Sequence, residues 1–491
     1  MDQIFALVKS LSQSEKRYFV RFSKFQTPAT TNSYLALFNR LVKVDEYKEK
    51  ELKKEFGAIH FAQLKQQLYK KLLQSLRLYY TGNSSQNELF THLHNYKLLA
   101  SKGLQIVAEK ELKRADKIAQ DAEMSYEAAI VFREKNMLVN GMSDVNELQA
   151  RIKENEEFLK RQIDNISNEH EYEKLFLEIE VLNKQLESTR NKEEMKRVVD
   201  YLDSPLLQNE KSALSNQSKI YFHFSKGLAF YLKSDYENCN HHMKFAMTLL
   251  EKNENILHRQ EDLYVRSLAN QCLSLIHLNK FEESELNFKK LKKIKLIDPS
   301  TTNNRDYIAY LLQLMYYNKK KEYAKSIELI HENEEFSKAM EKKMAQKSGV
   351  TQEKVYSVFQ KAIAYLENGM HKKASQVLNE FINQKGKGMK EDAYIMARLF
   401  FLFIRFELND ESLIESELRS VQRYLKEKNK LFLFEKYMLQ FISKMLIATS
   451  TQENKTNFTT LKNELDKLKL VEYERNAFIY FDFSDWVKRF V

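Results

Sequence analysis

The chain is predicted to be all-α, on three observations: it has almost no helix breakers, its apolar residues recur at spacings of three and four, and one pattern of small and large residues returns along much of its length. Its 491 residues hold 9 Gly and 3 Pro, where ordinary usage gives about 60. Sheets joined by tight turns need Gly, Asn-Gly or Pro at their corners. A sandwich, a barrel or a doubly wound sheet cannot be built from so few. Leu, Lys, Glu, Gln and Ala form helices well and are abundant here. With 43% hydrophobic residues, among them 26 Tyr and 32 Phe, there is ample material for a core.

The first element after the N-terminus is marked by Ser12 and Glu15, the spacing of a capping box, and EKRYFVRFSKF continues helically. Pro28 in the polar stretch TPATTNS ends it. Helical patterning resumes over 34–44, 47–56 and about 60–80. In the last of these, Phe61, Leu64, Leu68, Leu72, Leu76 and Tyr79 form one apolar stripe. The other side carries Lys65, Lys70, Lys71 and Arg77 and no acid. TGNSSQN (81–87) reads as a linker. Residues 1–80 hold 15 Lys/Arg against 7 Asp/Glu, a local +8 within a total of +11. The charge asymmetry therefore belongs to one end of the chain.

Beyond the linker, YFHFSKGLAFYLKSDYENCNHHMKFAM sets the pattern. Gly227 is a small residue in a first helix, Phe230 follows it, Tyr236 opens a second helix, and Cys239 and Ala246 are small again. Small positions let antiparallel helices approach closely, and large ones fill the space between pairs. A second copy places Cys272, Phe281, Ser284 and Phe288 in step. A third has Tyr317, Tyr323 and Ser326, and a fourth Ala362, Tyr365, Gly369, Ala374 and Leu378. Gly103, Ala108, Leu112 and Ala115 repeat it near the front.

On these residues the stretch from about 88 to 430 resembles the tetratricopeptide-repeat-like superfamily. The copies are near 45 residues apart rather than 34, which predicts long or inserted helices. The opening SLSQSEKRYF also resembles the start of long helical bacterial proteins. The resemblance implies helix pairs stacked into a right-handed α-α superhelix, or solenoid, that follows a basic N-terminal helical module (1–80). The concave face would be lined by the first helix of each pair and would take a peptide or helix. The repeat register puts His223, Lys226, Arg266, Gln271, Gln313, Gln360 and Lys361 on those first helices, as the expected partner-binding residues.

Residues 145–200 are charged and free of Gly and Pro. They read as two long helices forming an extended hairpin within the array, with a coiled coil as the alternative. Residues 431–491 are expected to form a helical cap in which Trp486 packs.

No phosphate loop, GxGxxG, GxSxG or HExxH occurs; Gly386 and Gly388 follow no strand and read as a turn. His92 and His94 are two apart and His241 and His242 adjacent, whereas shared metal ligation on a helix wants three or four. Cys239 and Cys272 sit at small packing positions and read as buried hydrophobes. No cofactor, metal or catalytic group is expected. The N-terminus lacks a secretory pattern and no run of 18 apolar residues exists, so a cytoplasmic protein is expected. The favoured reading is a non-enzymatic scaffold or adaptor for protein partners. The alternative is a nucleic-acid-associated regulator. In it, 47–56, a turn at Gly57 and the helix from about His60 form a helix-turn-helix that turns Lys65, Lys70, Lys71 and Arg77 to phosphates.

Overall fold

The computed structural model describes residues 2–26, 33–82, 84–139, 144–186, 189–296, 299–348, 350–384, 391–408 and 411–491. It is all-helical, 83% helix with no strand among the described residues. No helix among them is long and apolar enough to cross a membrane. The chain forms two compact units, Met1–Ile163 and Asp164–Val491.

The first unit holds α1 (Gln3–Ser10), α2 (Gln13–Gln26), α3 (Ser33–Lys43), α4 (Glu49–Phe56), α5 (Phe61–Tyr80), α6 (Ser85–Ser101), α7 (Gln105–Asp121), α8 (Ser125–Val139) and the start of α9 (Val145–Gln185). The capping box at α2 is formed: Glu15 N donates to Ser12 Oγ at 3.2 Å and Ser12 N to Glu15 Oε2 at 2.6 Å. Phe5, Val8, Phe19, Phe38, Leu68 and Leu72 make one core beneath α1, α2, α3 and α5. The apolar stripe read in α5 is its buried face. This helix packs chiefly on α2 and α3. Residues 81–87, expected to be a linker, already contain the Ser84 cap and first turn of α6. Residue 83 lies outside the described residues. The pair α6/α7 closes over Leu89, Leu93 and Tyr96 against Ala108, Leu112 and Ala115, the small positions the pattern had marked.

The second unit holds the rest of α9, then α10 (Lys192–Leu202), α11 (Asn216–Leu232), α12 (Tyr236–Lys252), α13 (Glu254–Arg259), α14 (Glu261–His277), α15 (Phe281–Lys293), α16 (Pro299–Lys319), α17 (Tyr323–Glu332) and α18 (Glu334–Ser348). It continues with α19 (Gln352–Glu367), α20 (His371–Asn383), α21 (Glu391–Glu407), α22 (Glu411–Glu427), α23 (Leu433–Ile447), α24 (Thr451–Leu468) and the short α25 (Phe483–Val487). In place of a hairpin of two long helices over 145–200, one 41-residue helix is followed by an 11-residue one. Gly386 and Gly388 lie outside the described residues.

Consecutive helices pack as hairpins: α11 with α12, α14 with α15, α16 with α17, α19 with α20, α21 with α22 and α23 with α24. The small positions are buried between them. Gly227, Cys239 and Ala246 meet around Met243, and Cys272 and Ser284 do the same in the next pair. The helices α13 and α18 lie between successive hairpins. One turn closes the hairpins in both units. Gly103, Ser234, Asn279, Lys321 and Gly369 have φ of 75°, 56°, 58°, 61° and 72°. In each case the next amide reaches back to the fifth residue before it, as in Asp235 N to Phe230 O and Lys280 N to Leu275 O, both 2.9 Å. This is a Schellman closure, which needs a left-handed residue after the helix.

Contacts in this unit are not confined to sequence neighbours. The stretch from Glu472 leaves α24 as an irregular strap and not as a regular helical cap. It crosses the ends of several first helices. Arg475 donates to Lys233 O at 2.9 Å after α11, Asp485 pairs with Lys321 at 2.8 Å after α16, and Arg489 pairs with Glu367 at the end of α19. Trp486 is buried as expected, against Phe403 and Phe458, and donates to Glu407 at the end of α21. Glu474 caps α23, accepting from Leu433 N at 3.0 Å and Phe434 N at 3.4 Å.

Candidate functional site

Four first helices, α11, α14, α16 and α19, together with the end of α9, surround a cleft of about 600 Å³. Its floor is apolar: Leu228 from α11, Leu273 from α14, and Leu311, Leu312 and Met315 from α16. Its rim is polar, with Glu180, Asp262, Arg266, Asn270 and Glu353. At one end the hydroxyls of Tyr231 and Tyr356 hydrogen-bond to each other and join α11 to α19. Burial pushes the Tyr231 hydroxyl well above its ordinary pKa, and Tyr356 beside it adds to the rise.

Of the residues expected to bind a partner, Arg266 is on this cleft. Its guanidinium pairs with Glu180 and lies 5.1 Å from the Phe224 ring centroid and 5.9 Å from that of Phe176. Asp262, one turn earlier, is 3.7 Å away. The cation is thus held rigidly between an aromatic pair and two carboxylates.

The others do not line this cleft. His223 is buried, with Nδ1 3.0 Å from His242 Nδ1 and its ring stacked on Phe245. Lys226 donates to Leu207 O at 3.1 Å, and burial lowers its pKa. Gln271 is buried. Gln313 accepts from Lys292 at 2.7 Å and donates to Tyr317 at 3.0 Å. Gln360 is buried and accepts from Asn318 Nδ2 through both its backbone and side-chain oxygens, each at 2.9 Å. Lys361 pairs with Glu341 at 3.1 Å. Burial alone would raise the Glu341 pKa, but Lys361 and Lys354 beside it hold it down at about 2. The contacts of His223, Gln360 and Lys361 are polar links between helices, whereas the Lys292–Gln313 bond is exposed.

The cleft residues that sequence reasoning missed include the apolar floor, and a signal for two of them was present. Leu228 and Leu273 each follow the small residue, Gly227 or Cys272, that packs against the second helix. A residue one step on, rotated by about 100°, turns to the cleft.

In the first unit, Lys65 is turned inward, which corrects the expectation that it faces outward. It forms an ion pair with Asp2, hydrogen-bonds Tyr47 Oη at 3.1 Å and lies over the Tyr47 and Phe61 rings. Lys70 and Arg77 are exposed, and Lys71 is half-buried. Among the described residues no group of three His, Cys, Asp or Glu side chains is arranged to hold a metal ion. No family model, no curated protein and no solved structure matches the chain.

Proposed function

We propose that this chain is a non-enzymatic scaffold or adaptor whose helix pairs form a tetratricopeptide-like right-handed superhelix, and that it takes a peptide or helix of a protein partner in the concave cleft. The supporting observation is the composition of that cleft. First helices from four successive pairs converge on one apolar floor with a polar rim, and the volume suits several side chains of a partner segment. Arg266, fixed over Phe176 and Phe224, gives the rim one oriented donor for a backbone carbonyl or carboxylate. The free, buried Cys239 and Cys272 fit work in the cytoplasm.

The test is site-specific photo-crosslinking in the native host, with the photoreactive side chain at Asn270 in the cleft or at the exposed Lys244 of α12. The expected result is a discrete protein adduct from position 270 that is absent from position 244 and is abolished by Ala269→Arg. Equal labelling from both positions, or none from 270, would remove the cleft as the binding surface.

A further inference from the structure

We propose that the α2/α5 face of the first unit binds single-stranded nucleic acid. The two helices run antiparallel, since Tyr80 Oη at the end of α5 donates to Glu15 at the start of α2 at 2.8 Å, and Tyr18 packs edge-on against Tyr79. Arg17, Arg21 and Lys24 recur at spacings of four and three, so they form one exposed row about 10 Å long. Lys70 and Arg77, seven apart on α5, form a second exposed row of similar length. None of these five cations has a carboxylate partner among the described residues.

The sign of this surface separates it from an ordinary solvated face. Other acid-free helices commit cations: in α3 Arg40 pairs with Glu55 at 3.0 Å, and in α11 Lys226 donates to Leu207 O at 3.1 Å. The exposed α4, EKELKKEF, carries acids and bases in near balance and pairs Lys53 with Glu49 at 2.7 Å. In contrast, α5 has no acid in 20 residues. Glu15, the one acid of α2, accepts from Ser12 N and Tyr80 Oη and is spent within the module. Phosphates are the partner for cations left without counter-charges.

The aromatics favour a single strand over a duplex. Phe25, at the end of α2 beside Lys24, is 92% exposed, and Tyr69 of α5 is 42% exposed. Unpaired bases stack on such rings, whereas a duplex keeps its bases stacked on one another. Lys65 is paired with Asp2 and stands apart from this surface, and α2 supplies most of the charge.

The test is fluorescence anisotropy of the full chain with a labelled oligothymidylate of about 16 nucleotides, over a range of salt concentrations. Binding is expected to weaken with salt at a slope of about −3.5 in log K against log salt, the value for roughly five phosphates on a single strand. Arg17→Gln/Arg21→Gln/Lys24→Gln should lower affinity at least tenfold and flatten the slope. Phe25→Ala should lower it about tenfold at an unchanged slope. Unchanged helicity by circular dichroism shows that each variant is folded. The proposal is overturned by no binding at low salt, by equal or tighter binding to a duplex of the same length, by capture on phosphatidylserine vesicles without oligonucleotide binding, or by folded variants that bind like the parent.

Discussion

Arg190 and Glu435 form an ion pair at 2.7 Å across 245 residues of chain, and each side chain is only 1% exposed. Arg190 precedes α10 and Glu435 lies in the first turn of α23, so the pair joins the early and late parts of the second unit. Burial alone would lower the Arg190 pKa, but the Glu435 and Asp392 carboxylates outweigh it and push the value up. The guanidinium stays charged.

Removing one partner leaves a bare charge in the interior. Arg190→Met or Glu435→Leu alone is expected to destabilise the second unit by about 3–5 kcal/mol. The double variant should recover most of that loss, because two apolar side chains leave no uncompensated charge. Urea unfolding of the three variants measures both effects, and additive losses would show that the two residues do not act as a pair.

Gly227 is tightly enclosed. A Cβ there would lie 2.8 Å from Met243 Cε and 3.2 Å from its Cγ. Alanine gains about 1 kcal/mol in helix propensity, while overpacking a filled site costs about 1–3 kcal/mol. Gly227→Ala should therefore be neutral to destabilising in the parent. It should become stabilising by about 1 kcal/mol in a Met243→Ala background. A thermal-unfolding double-mutant cycle reads the coupling.

Ser234 holds the left-handed turn between α11 and α12 at φ 56°. A non-glycine residue there carries about 1–2 kcal/mol of strain. Ser234→Gly is expected to stabilise the second unit by about 1 kcal/mol, part of the relief being offset by the greater freedom of glycine when unfolded. A drop in urea midpoint would mean that the turn is held by the serine itself.

His277 stacks on Tyr236 with centroids 4.2 Å apart, and burial lowers its pKa to about 3. His242 is brought to about 3 by burial and by His223 beside it. A folded-state pKa below the unfolded value of about 6.5 means that the unfolded chain takes up the proton first. The stability from keeping these rings neutral is fully present above about pH 6.5 and is lost as pH falls towards 3. His277→Phe, which keeps the stack, should flatten the decline in urea midpoint between neutral pH and about pH 5. An unchanged decline would assign the acid sensitivity to other groups.

The helical class was legible because Gly and Pro are scarce, and the hairpins because Gly227, Cys239, Cys272 and Ser284 sit where close approach demands small side chains. The facing of the polar residues was much less so. Register alone places His223, Gln271 and Gln360 on first helices, but the sequence does not show that His242 or Asn318 waits across the interface to satisfy His223 and Gln360 inside. Arg266 was found because its cation does reach the rim. The strap after Glu472 was illegible for another reason. Its burial depends on partners such as Phe359, Phe400 and Phe434, distant in sequence, and a short irregular stretch carries no periodicity to betray it.

The distance between Arg190 and Glu435 also sets an order of events during synthesis. At about 5–20 residues per second, the ribosome delivers Glu435 roughly ten seconds to a minute after Arg190. The hairpins between them can close locally as they emerge, but the guanidinium gains its hydrogen-bonded carboxylate only when α23 arrives. The contacts that tie the start of the second unit to its end, Arg190 to Glu435 and Asn476 Nδ2 to Thr189 O, can form only after all the chain between them has been made.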